Sequence, residues 1–312
     1  MTDGYLAVLD ALLADGLRAL GDAFGRLQSA YAQQLQLPDG GFPGCQGGSD
    51  LYYTDFALRV LTLTAPPPTT LARAAQYLSR TRAEPRSVVE CFSWLNSRRL
   101  LAPAGLEVPL ARDGLVAAIA RQALPTGGFA MPGGTVANAY QTFIAALCLE
   151  MLGEEFPSRG EAVAEIARLQ TTDGGFRNQS GEGLAQTSAT AAGLGFLTLH
   201  EANSQQAALS PDGAQAACAF LVSMQNVDGG LLAHPQAPGS DLLSTFTGLL
   251  SLALLDAHGA LNLPALGRFV RGCASATGGF GAFPGDDGAD LEYMYYGVGC
   301  VALLGAVMQA SD

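Results

Sequence analysis

The sequence predicts an all-α fold of helical hairpins arranged in a ring of two concentric layers. A glycine pair recurs in this chain of 312 residues, with its first glycine at Gly40, Gly127, Gly174, Gly229 and Gly278. Apolar residues recur at helical spacing on both sides of these pairs. The β-branched, alternating runs that are typical of strands are missing from the sequence. Together these three observations indicate a repeated pair of helices rather than a sheet.

The spacing of the glycine pairs sets the number of repeats. Successive intervals are 87, 47, 55 and 49 residues, so the first interval is close to twice the others. A unit without its glycines is therefore expected at 82–101, which reads RAEPRSVVECFSWLNSRRLL. This unit makes six repeats of roughly 50 residues, a period in the range of helical-pair arrays. We expect a single domain over 1–312, with one or more leading helices in 1–35 and repeats over about 36–306.

Each repeat has the same order of elements. The runs before the glycines have one apolar and one polar face, which predicts outer helices. These runs cover 71–81, 159–170, 212–225 and 263–274. The runs after the glycine-rich loop are almost entirely small and apolar, as in TSATAAGLGFLTL at 187–199, which predicts buried inner helices. An open superhelix would expose those helices, so a closed ring around a central funnel is favoured.

Composition limits the classes of function. The chain is 49% hydrophobic and 14% charged, but no run approaches the ~18 apolar residues of a membrane span. The first residues carry Asp3, Asp10 and Asp15 without a basic region, which disfavours a signal peptide and predicts a cytoplasmic protein. All 16 basic residues are arginine and the net charge is −12, which excludes a P-loop or Schiff-base lysine and disfavours nucleic-acid binding. Three cysteines lie in apolar helical runs and are expected to be free thiols: Cys148, Cys218 and Cys300.

One motif resembles the repeats of a known family. Gln-x-x-Asp-Gly-Gly occurs at 36–41, 170–175 and 225–230, and is followed by a loop, an Asp and Thr-Phe-x-Gly/Ala-Leu. This pattern resembles the repeats of protein prenyltransferase β subunits, a repeat type that squalene and terpenoid cyclases share. The resemblance covers 36–306 and implies an α/α toroid whose apolar funnel holds an isoprenoid chain. It also implies a helical partner subunit, or self-association, and a prenyl diphosphate or other isoprenoid as the ligand.

The resemblance also implies a zinc site, which the sequence does not match. Family members hold zinc with an Asp, a Cys two residues later and a His in the final repeat. Here Asp241 matches the acid, but Leu243 stands in place of the Cys and Tyr293 in place of the His. A one-residue slip would place Glu292 at the histidine position instead. Because one carboxylate does not hold zinc, we expect no zinc cofactor and divergent or absent zinc-dependent prenyl transfer.

Acidic residues suggest a second chemistry. Terpenoid cyclases protonate an alkene with neighbouring carboxylates, and Asp286, Asp287 and Asp290 form the densest acidic run here. Its spacing differs from the cyclase pattern, so a solvated acidic loop is the alternative. Asp241 and Asp290 also lie where helix N-caps are expected. The catalytic candidates are Asp241, Tyr293, Asp290 and Glu90.

Aromatic residues near the starts of the inner helices are the predicted funnel lining. They are Phe92, Trp94, Tyr140, Phe143, Phe246 and Tyr296. Aromatic walls suit a prenyl chain, although the same rings could instead fill the funnel. Three hypotheses follow: a prenyltransferase-like protein that binds an isoprenoid in the funnel, a non-catalytic toroid scaffold, and a terpenoid cyclase-like enzyme.

Overall fold

The structure, a computed structural model, describes residues 4–81, 87–181, 183–204 and 208–310. Within these ranges the helices are α1 (Tyr5–Ala19), α2 (Asp22–Leu35), α3 (Leu51–Leu63), α4 (Pro68–Arg80), α5 (Val88–Leu101), α6 (Arg112–Ala120), α7 (Ala139–Leu152), α8 (Arg159–Ala167), α9 (Thr187–Ser204), α10 (Pro211–Ser223), α11 (Leu242–Leu254), α12 (Leu263–Cys273) and α13 (Leu291–Ala310). The strands are four two-residue segments: β1 (Phe42–Pro43), β2 (Ser49–Asp50), β3 (Leu231–Leu232) and β4 (Ser240–Asp241). The all-α prediction is confirmed, and none of the described helices is long and apolar enough to cross a bilayer.

The chain divides into two compact units. Unit 1 comprises Met1–Val8 and Ala120–Gly272, and unit 2 comprises Leu9–Ile119 and Cys273–Asp312. In unit 1, α9 packs between α7 and α11. In unit 2, α3 packs between α5 and α13, and α2 packs on α3. The helix α5 lies in the long first glycine interval, where the sequence predicts a repeat without glycines; residues 82–86 of that interval lie outside the described residues.

Burial separates inner from outer helices as predicted. The inner helices α7 and α11 are buried over most of their length. The outer helix α8, in contrast, buries only Ala162 and Ile166, and α10 buries Ala217, Phe220 and Leu221. Such one-sided burial is what an amphipathic pattern predicts.

The first glycine of each pair lies directly against the next outer helix. Gly174 has a φ of 91°, and a Cβ at this position would overlap the Ala216 carbonyl in α10. Gly40 meets the carbonyl of Arg73 in α4 in the same way, and Gly229 meets that of Ala265 in α12. The sequence predicts glycine here because the chain must turn with a positive φ. The structure adds a second reason, which is the absence of space for any side chain.

The last glycine pair contacts the beginning of the chain. A Cβ on Gly278 would lie 2.7 Å from Tyr31 Cβ in α2. The backbone N–H of Gly279 donates to Gln28 Oε1, also in α2, at 2.9 Å. Helix α2 therefore lies against the final glycine turn, as α10 lies against the turn of Gly174.

The glutamine of the repeat motif ties each turn to the following helix. Gln170 Nε2 donates to the carbonyl of Gly174 at 3.0 Å and to that of Gly213, in the first turn of α10, at 2.8 Å. Gln36 bonds the carbonyls of Gly40 and Thr70 at 3.0 Å each. These two hydrogen bonds from one side-chain amide explain why the glutamine accompanies the glycine pair in the sequence.

Two contacts then set the start of each inner helix. In the repeat of Gly174, the N–H of Phe176 donates to Thr190 Oγ1 at 2.8 Å, and the Phe176 side chain is fully buried. In the repeat of Gly229, the N–H of Leu231 donates to Thr245 Oγ1 at 2.9 Å. The side chains of Asp50, Ser87, Asn138 and Asp241 cap α3, α5, α7 and α11. The loop and helix start are therefore held in register, and this fixes where the side chains of the first helical turns lie.

We expect Gly174→Ala to destabilise the fold by about 2–3 kcal/mol, because the methyl group would overlap the α10 backbone at a strained φ. Gly160→Ala is the matched control, since this helical glycine has open space around its Cβ position. The control should be neutral or slightly stabilising, because alanine favours helix. Urea unfolding of both variants measures the difference. Equal stability of the two variants would contradict the proposed close approach.

Candidate functional site

The first turns of α13 and α3 meet in unit 2 at a carboxyl shared by two tyrosines. Glu292 accepts hydrogen bonds on Oε1 from Tyr52 Oη at 2.8 Å and from Tyr296 Oη at 2.9 Å. Tyr296 lies one turn after Glu292 on α13, whereas Tyr52 lies on α3, 240 residues earlier than Glu292 in the chain. The two hydroxyls hold the carboxyl in one orientation, and both bonds end on the same oxygen.

Aromatic rings lie beside this carboxyl and form the aromatic cluster of unit 2. Its members, on α3, α5 and α13, are Tyr52, Phe56, Phe92, Tyr293, Tyr295 and Tyr296. The ring centroid of Phe56 lies 4.9 Å from that of Tyr52 and 5.6 Å from that of Tyr296. The Tyr293 and Tyr296 centroids are 6.2 Å apart. These edge-on contacts are the arrangements that aromatic pairs favour.

A positive charge lies within the same cluster. The guanidinium carbon of Arg59 is 4.5 Å from the ring centroid of Phe56. It is 5.1 Å from the centroids of Phe92 and Tyr295. Arg59 also forms an ion pair with Asp55, whose side chain is only 1% exposed. The aromatic faces around Arg59 are therefore already occupied by a cation of the protein itself.

The ion pair continues into a chain of polar contacts that joins three helices of unit 2. Asn96 Nδ2 in α5 donates to Asp55 Oδ1 at 2.7 Å. Arg99 donates to Asn96 Oδ1 through Nε at 3.0 Å and Nη2 at 2.8 Å. Its Nη1 donates to Asp10 Oδ2 in α1 at 2.6 Å. We call Asp10, Asp55, Arg59, Asn96 and Arg99 the polar network; it ties α3 to α5 and α1.

Burial dominates the electrostatics of Glu292. It raises the pKa of Glu292 above the ordinary value of 4.5, and the nearby charge of Asp290 raises it further. The hydrogen bonds from Tyr52 and Tyr296 favour the ionised form and oppose this rise. Burial likewise raises the pKa of Asp290, which is itself the N-terminal acceptor for the Tyr293 N–H at 2.8 Å. The start of α13 therefore carries two carboxyls that are harder to ionise than usual.

Burial and pairing act in opposite directions on Asp55 and Arg59. Burial raises the pKa of Asp55, while the charge and hydrogen bond of Arg59 lower it. Burial also disfavours the charged form of Arg59, but the Asp55 carboxylate raises the pKa of the guanidinium overall. We take the pair as ionised, because Arg59 stays protonated and both Arg59 and Asn96 donate to the carboxylate.

The predicted site residues of unit 2 fall both inside and outside the aromatic cluster. Phe92, Tyr293 and Tyr296 are cluster members, and Trp94, outside the cluster, is buried, with 3% exposure. Tyr293 packs on Tyr296. Glu90 is exposed in the first turn of α5.

The predicted site residues of unit 1 do not share one contact group. Asp241 caps α11 by accepting from the N–H of Ser244 at 2.7 Å, and it also accepts from the Ser244 hydroxyl at 2.9 Å. Phe246 is buried, and Tyr140 is 38% exposed. Phe143 packs edge-on against Tyr5, with ring centroids 5.2 Å apart. The capping role that the sequence offered as an alternative for Asp241 is the one that its contacts support.

The donor set does not fit the zinc site of the resembled family. Asp241 is engaged with Ser244, and Leu243, two residues later, offers no ligand atom. Among the described side chains, no group of three or more His, Cys, Asp or Glu is arranged to hold a metal ion. All six cysteines are free thiols, with Cys148 and Cys300 buried as expected and Cys218 half-buried.

Several residues of the site were missed by sequence reasoning. Tyr52, Phe56 and Arg59 recur at positions i, i+4 and i+7 of α3, which is the ordinary pattern of a buried helix face. Phe92, Asn96 and Arg99 repeat this spacing on α5. An Asp and an Arg four residues apart inside an otherwise uncharged inner helix are the signal that could have pointed to Asp55 and Arg59.

A cavity of about 580 Å³ lies elsewhere, in unit 1. Its lining includes Leu149, Glu150, Phe156, Arg159 and Leu199. None of the predicted site residues is in this lining, so the cavity does not support the predicted funnel.

Comparison with known proteins identifies the fold. The family described as the prenyltransferase alpha-alpha toroid domain matches residues 73–183 and 157–312. Protein geranylgeranyltransferase-I of Candida albicans, complexed with GGPP, is 19% identical over 68% of this chain and 69% of that chain, with a TM-score of 0.57. Type II terpene cyclase MstE from Scytonema, in complex with geranylgeranyl dihydroxybenzoate, is 15% identical over 96% of this chain and 99% of that chain, with a TM-score of 0.62.

A carbohydrate enzyme has a similar structure. An alpha-1,6-mannanase of Salegentibacter is 14% identical over 91% of this chain and 99% of that chain, with a TM-score of 0.56. No curated protein gives a significant match. Likeness at this level of identity shows the fold alone, and the predicted α/α toroid class is confirmed.

The polar network should respond differently to single and paired substitutions. Asp55→Leu alone leaves the buried Arg59 charge unpaired and should cost about 3–5 kcal/mol in urea unfolding. Asp55→Leu with Arg59→Met removes both charges and should recover most of that loss. Asp22→Ala, which breaks the exposed pair with Arg26, is the control and should cost about 0–1 kcal/mol. If the double variant is no more stable than Asp55→Leu, the two side chains are not coupled as described.

The raised pKa of Glu292 predicts a pH-dependent stability difference. Ionisation of Glu292 costs more in the folded than in the unfolded chain, so wild-type stability should fall relative to Glu292→Gln as pH rises above about 4.5. The full difference is reached above the folded pKa and amounts to about 1.4 kcal/mol for every pH unit between the two pKa values. Urea unfolding of both proteins from pH 4 to pH 8 measures it. A difference that stays constant with pH would contradict the raised pKa.

Proposed function

Because the chain belongs to the prenyltransferase alpha-alpha toroid family, we propose that it binds an isoprenoid chain at the aromatic cluster of unit 2. The observation that carries the proposal is Glu292, held by Tyr52 and Tyr296 beside a wall of aromatic rings. Such a wall offers dispersion contacts to an unsaturated apolar chain, and a small number of polar groups fix the orientation of the ligand.

Similar structures are consistent with this ligand class but do not decide it. The two isoprenoid enzymes were solved with GGPP and with geranylgeranyl dihydroxybenzoate. The mannanase has the same kind of fold and was solved with a mannotetrose. The choice of an isoprenoid therefore rests on the family and on the packed aromatic rings of the cluster, and not on the fold.

Zinc-dependent prenyl transfer is not part of the proposed function. The residues at the expected ligand positions include Leu243 and Tyr293, and Asp241 acts as a helix cap. We propose that the protein works without zinc. A helical partner subunit or self-association stays a prediction.

Acid catalysis of a terpenoid cyclisation is the second candidate function. The observation that favours it is the half-buried carboxyl of Glu292, which lies beside aromatic rings, accepts from Tyr52 and Tyr296 and has a pKa that burial raises. Protonated Glu292 would give its proton to a carbon of a ligand double bond, forming a C–H bond and a carbocation. A second double bond of the same chain would then attack the carbocation, which forms the C–C bond of the ring and moves the positive charge to the far carbon of that double bond. Loss of a proton from a carbon beside this charge to the Glu292 carboxylate would form a new double bond and regenerate the acid.

Binding of a fluorescent farnesyl analogue to the full chain tests the proposed site. Tyr52→Ala removes a half-buried ring from the cluster and should weaken binding about tenfold. Phe283→Ala removes an exposed ring from a loop of unit 2 and should leave binding unchanged. Cyclised products that form with wild type and not with Glu292→Gln would support the second candidate. If the analogue does not bind, the isoprenoid proposal is wrong and a scaffold role is favoured.

A further inference from the structure

Glu292 has one engaged oxygen and one open oxygen. Both tyrosine hydroxyls donate to Oε1, and among the residues described no hydrogen-bond donor reaches Oε2. Glu292 Oε2 is also not one of the buried, unpartnered side-chain atoms, so it is not sealed in the interior. Oε2 is therefore the oxygen of Glu292 that can still accept a hydrogen bond from a ligand.

The charges around Glu292 are unfavourable for an anion. Asp290, two residues away, raises the pKa of Glu292 through its own charge, and Asp286 acts in the same way on Asp290. The cation of the cluster, Arg59, acts in the opposite direction and lowers the pKa of Glu292. Its charge is already paired with Asp55.

Three other arginines of unit 2 are engaged with other partners. Arg98 Nε donates to the carbonyl of Val108 at 2.8 Å, and Arg99 is held in the polar network. Arg73, on the outer helix α4, donates to the carbonyl of Leu37 at 2.6 Å. Arg82 and Arg86 lie outside the described residues. A diphosphate requires several charge-assisted donors. The charged groups that act on Glu292 are the Asp290 carboxyl and the guanidinium of Arg59, which is paired with Asp55.

We propose that the ligand carries an uncharged hydroxyl, as an isoprenoid alcohol or phenol does, and that this hydroxyl binds Glu292 Oε2. The proposal rests on the proposed isoprenoid function and names its head group. A hydroxyl both donates and accepts, so it matches Oε2 whether the carboxyl is ionised or protonated. A hydroxyl at Oε2 also takes the position from which the acid would reach a double bond, so it excludes the second candidate function at this carboxyl.

Three ligands with the same farnesyl chain distinguish the effect of a hydroxyl hydrogen bond on affinity from the effect of negative charge. Farnesol, its methyl ether and farnesyl diphosphate are titrated into the full-length protein at pH 7 and low ionic strength. Farnesol should bind about tenfold more tightly than the ether, which cannot donate to Oε2. The diphosphate should bind more weakly than farnesol, because the carboxyls repel it.

Two substitutions at Glu292 test the residue itself. Glu292→Leu should abolish the preference for farnesol over its ether. Glu292→Gln should also lose most of it, because the amide oxygen stays with Tyr52 and Tyr296 and the NH2 group at the Oε2 position donates to a hydroxyl and to an ether alike. Asp287→Asn removes an exposed charge from the neighbouring loop and should leave that preference unchanged. Far-UV circular dichroism shows whether each variant is folded. If Glu292→Leu does not fold, Glu292→Gln is the variant that is compared with wild type.

The outcomes are distinguishable. Equal binding of farnesol and its ether, or tighter binding of the diphosphate than of farnesol, overturns the head-group proposal and leaves isoprenoid binding in place. The same preference in Glu292→Leu as in wild type also overturns it, because another residue would then hold the hydroxyl. Failure of all three ligands to bind overturns the proposed function together with this inference.

Discussion

The close approach between each glycine turn and the next outer helix is the contact on which the rest of the structure depends. Because Gly174 has no side chain, its turn lies on the backbone of α10, and Gln170 bonds both segments. The same turn places Phe176 under the inner helix, where Thr190 binds its N–H. Each inner helix therefore begins at a position set by its turn. The turn therefore also determines where site residues in the first turns of the inner helices lie, although these residues make none of the turn's contacts themselves.

The inner helices of the two units differ in their polar residues, and the candidate site lies where these polar residues occur. The inner helices of unit 1 are apolar or lined by small residues, as in α9 and α11. Those of unit 2 carry the ion pair of Asp55 and Arg59, the amide of Asn96 and the carboxyl of Glu292. Buried charges cost free energy that an apolar packing would not, so stability alone does not account for this network. Concentrating polar groups in one unit is more readily explained by a ligand that needs orientation.

The sequence predicted the fold well because its signals are local and repeated. Glycine pairs, amphipathic runs and apolar runs each report on a few neighbouring residues, and the α/α toroid class and family resemblance were confirmed. The site was predicted only in part. Phe92 and Tyr296 belong to the aromatic cluster, whereas Arg59 and Tyr52 were missed, because their spacing is that of any buried helix face. The contact between Tyr52 and Glu292 joins positions 240 residues apart, and no local pattern encodes it.

The two residues that the family resemblance offers at the start of α13 have different contacts. Family resemblance placed either Tyr293 or, with a slip of one residue, Glu292 at the expected histidine position. The Tyr293 backbone N–H bonds the capping residue Asp290, and its ring packs on Tyr296. Glu292 instead turns its carboxyl to the two tyrosine hydroxyls. A neutral or singly charged carboxyl cannot supply the positive charge that a metal ion brings to an anionic ligand. This contrast is the reason for proposing a ligand that shares hydrogen bonds with Glu292 rather than one that requires charge neutralisation.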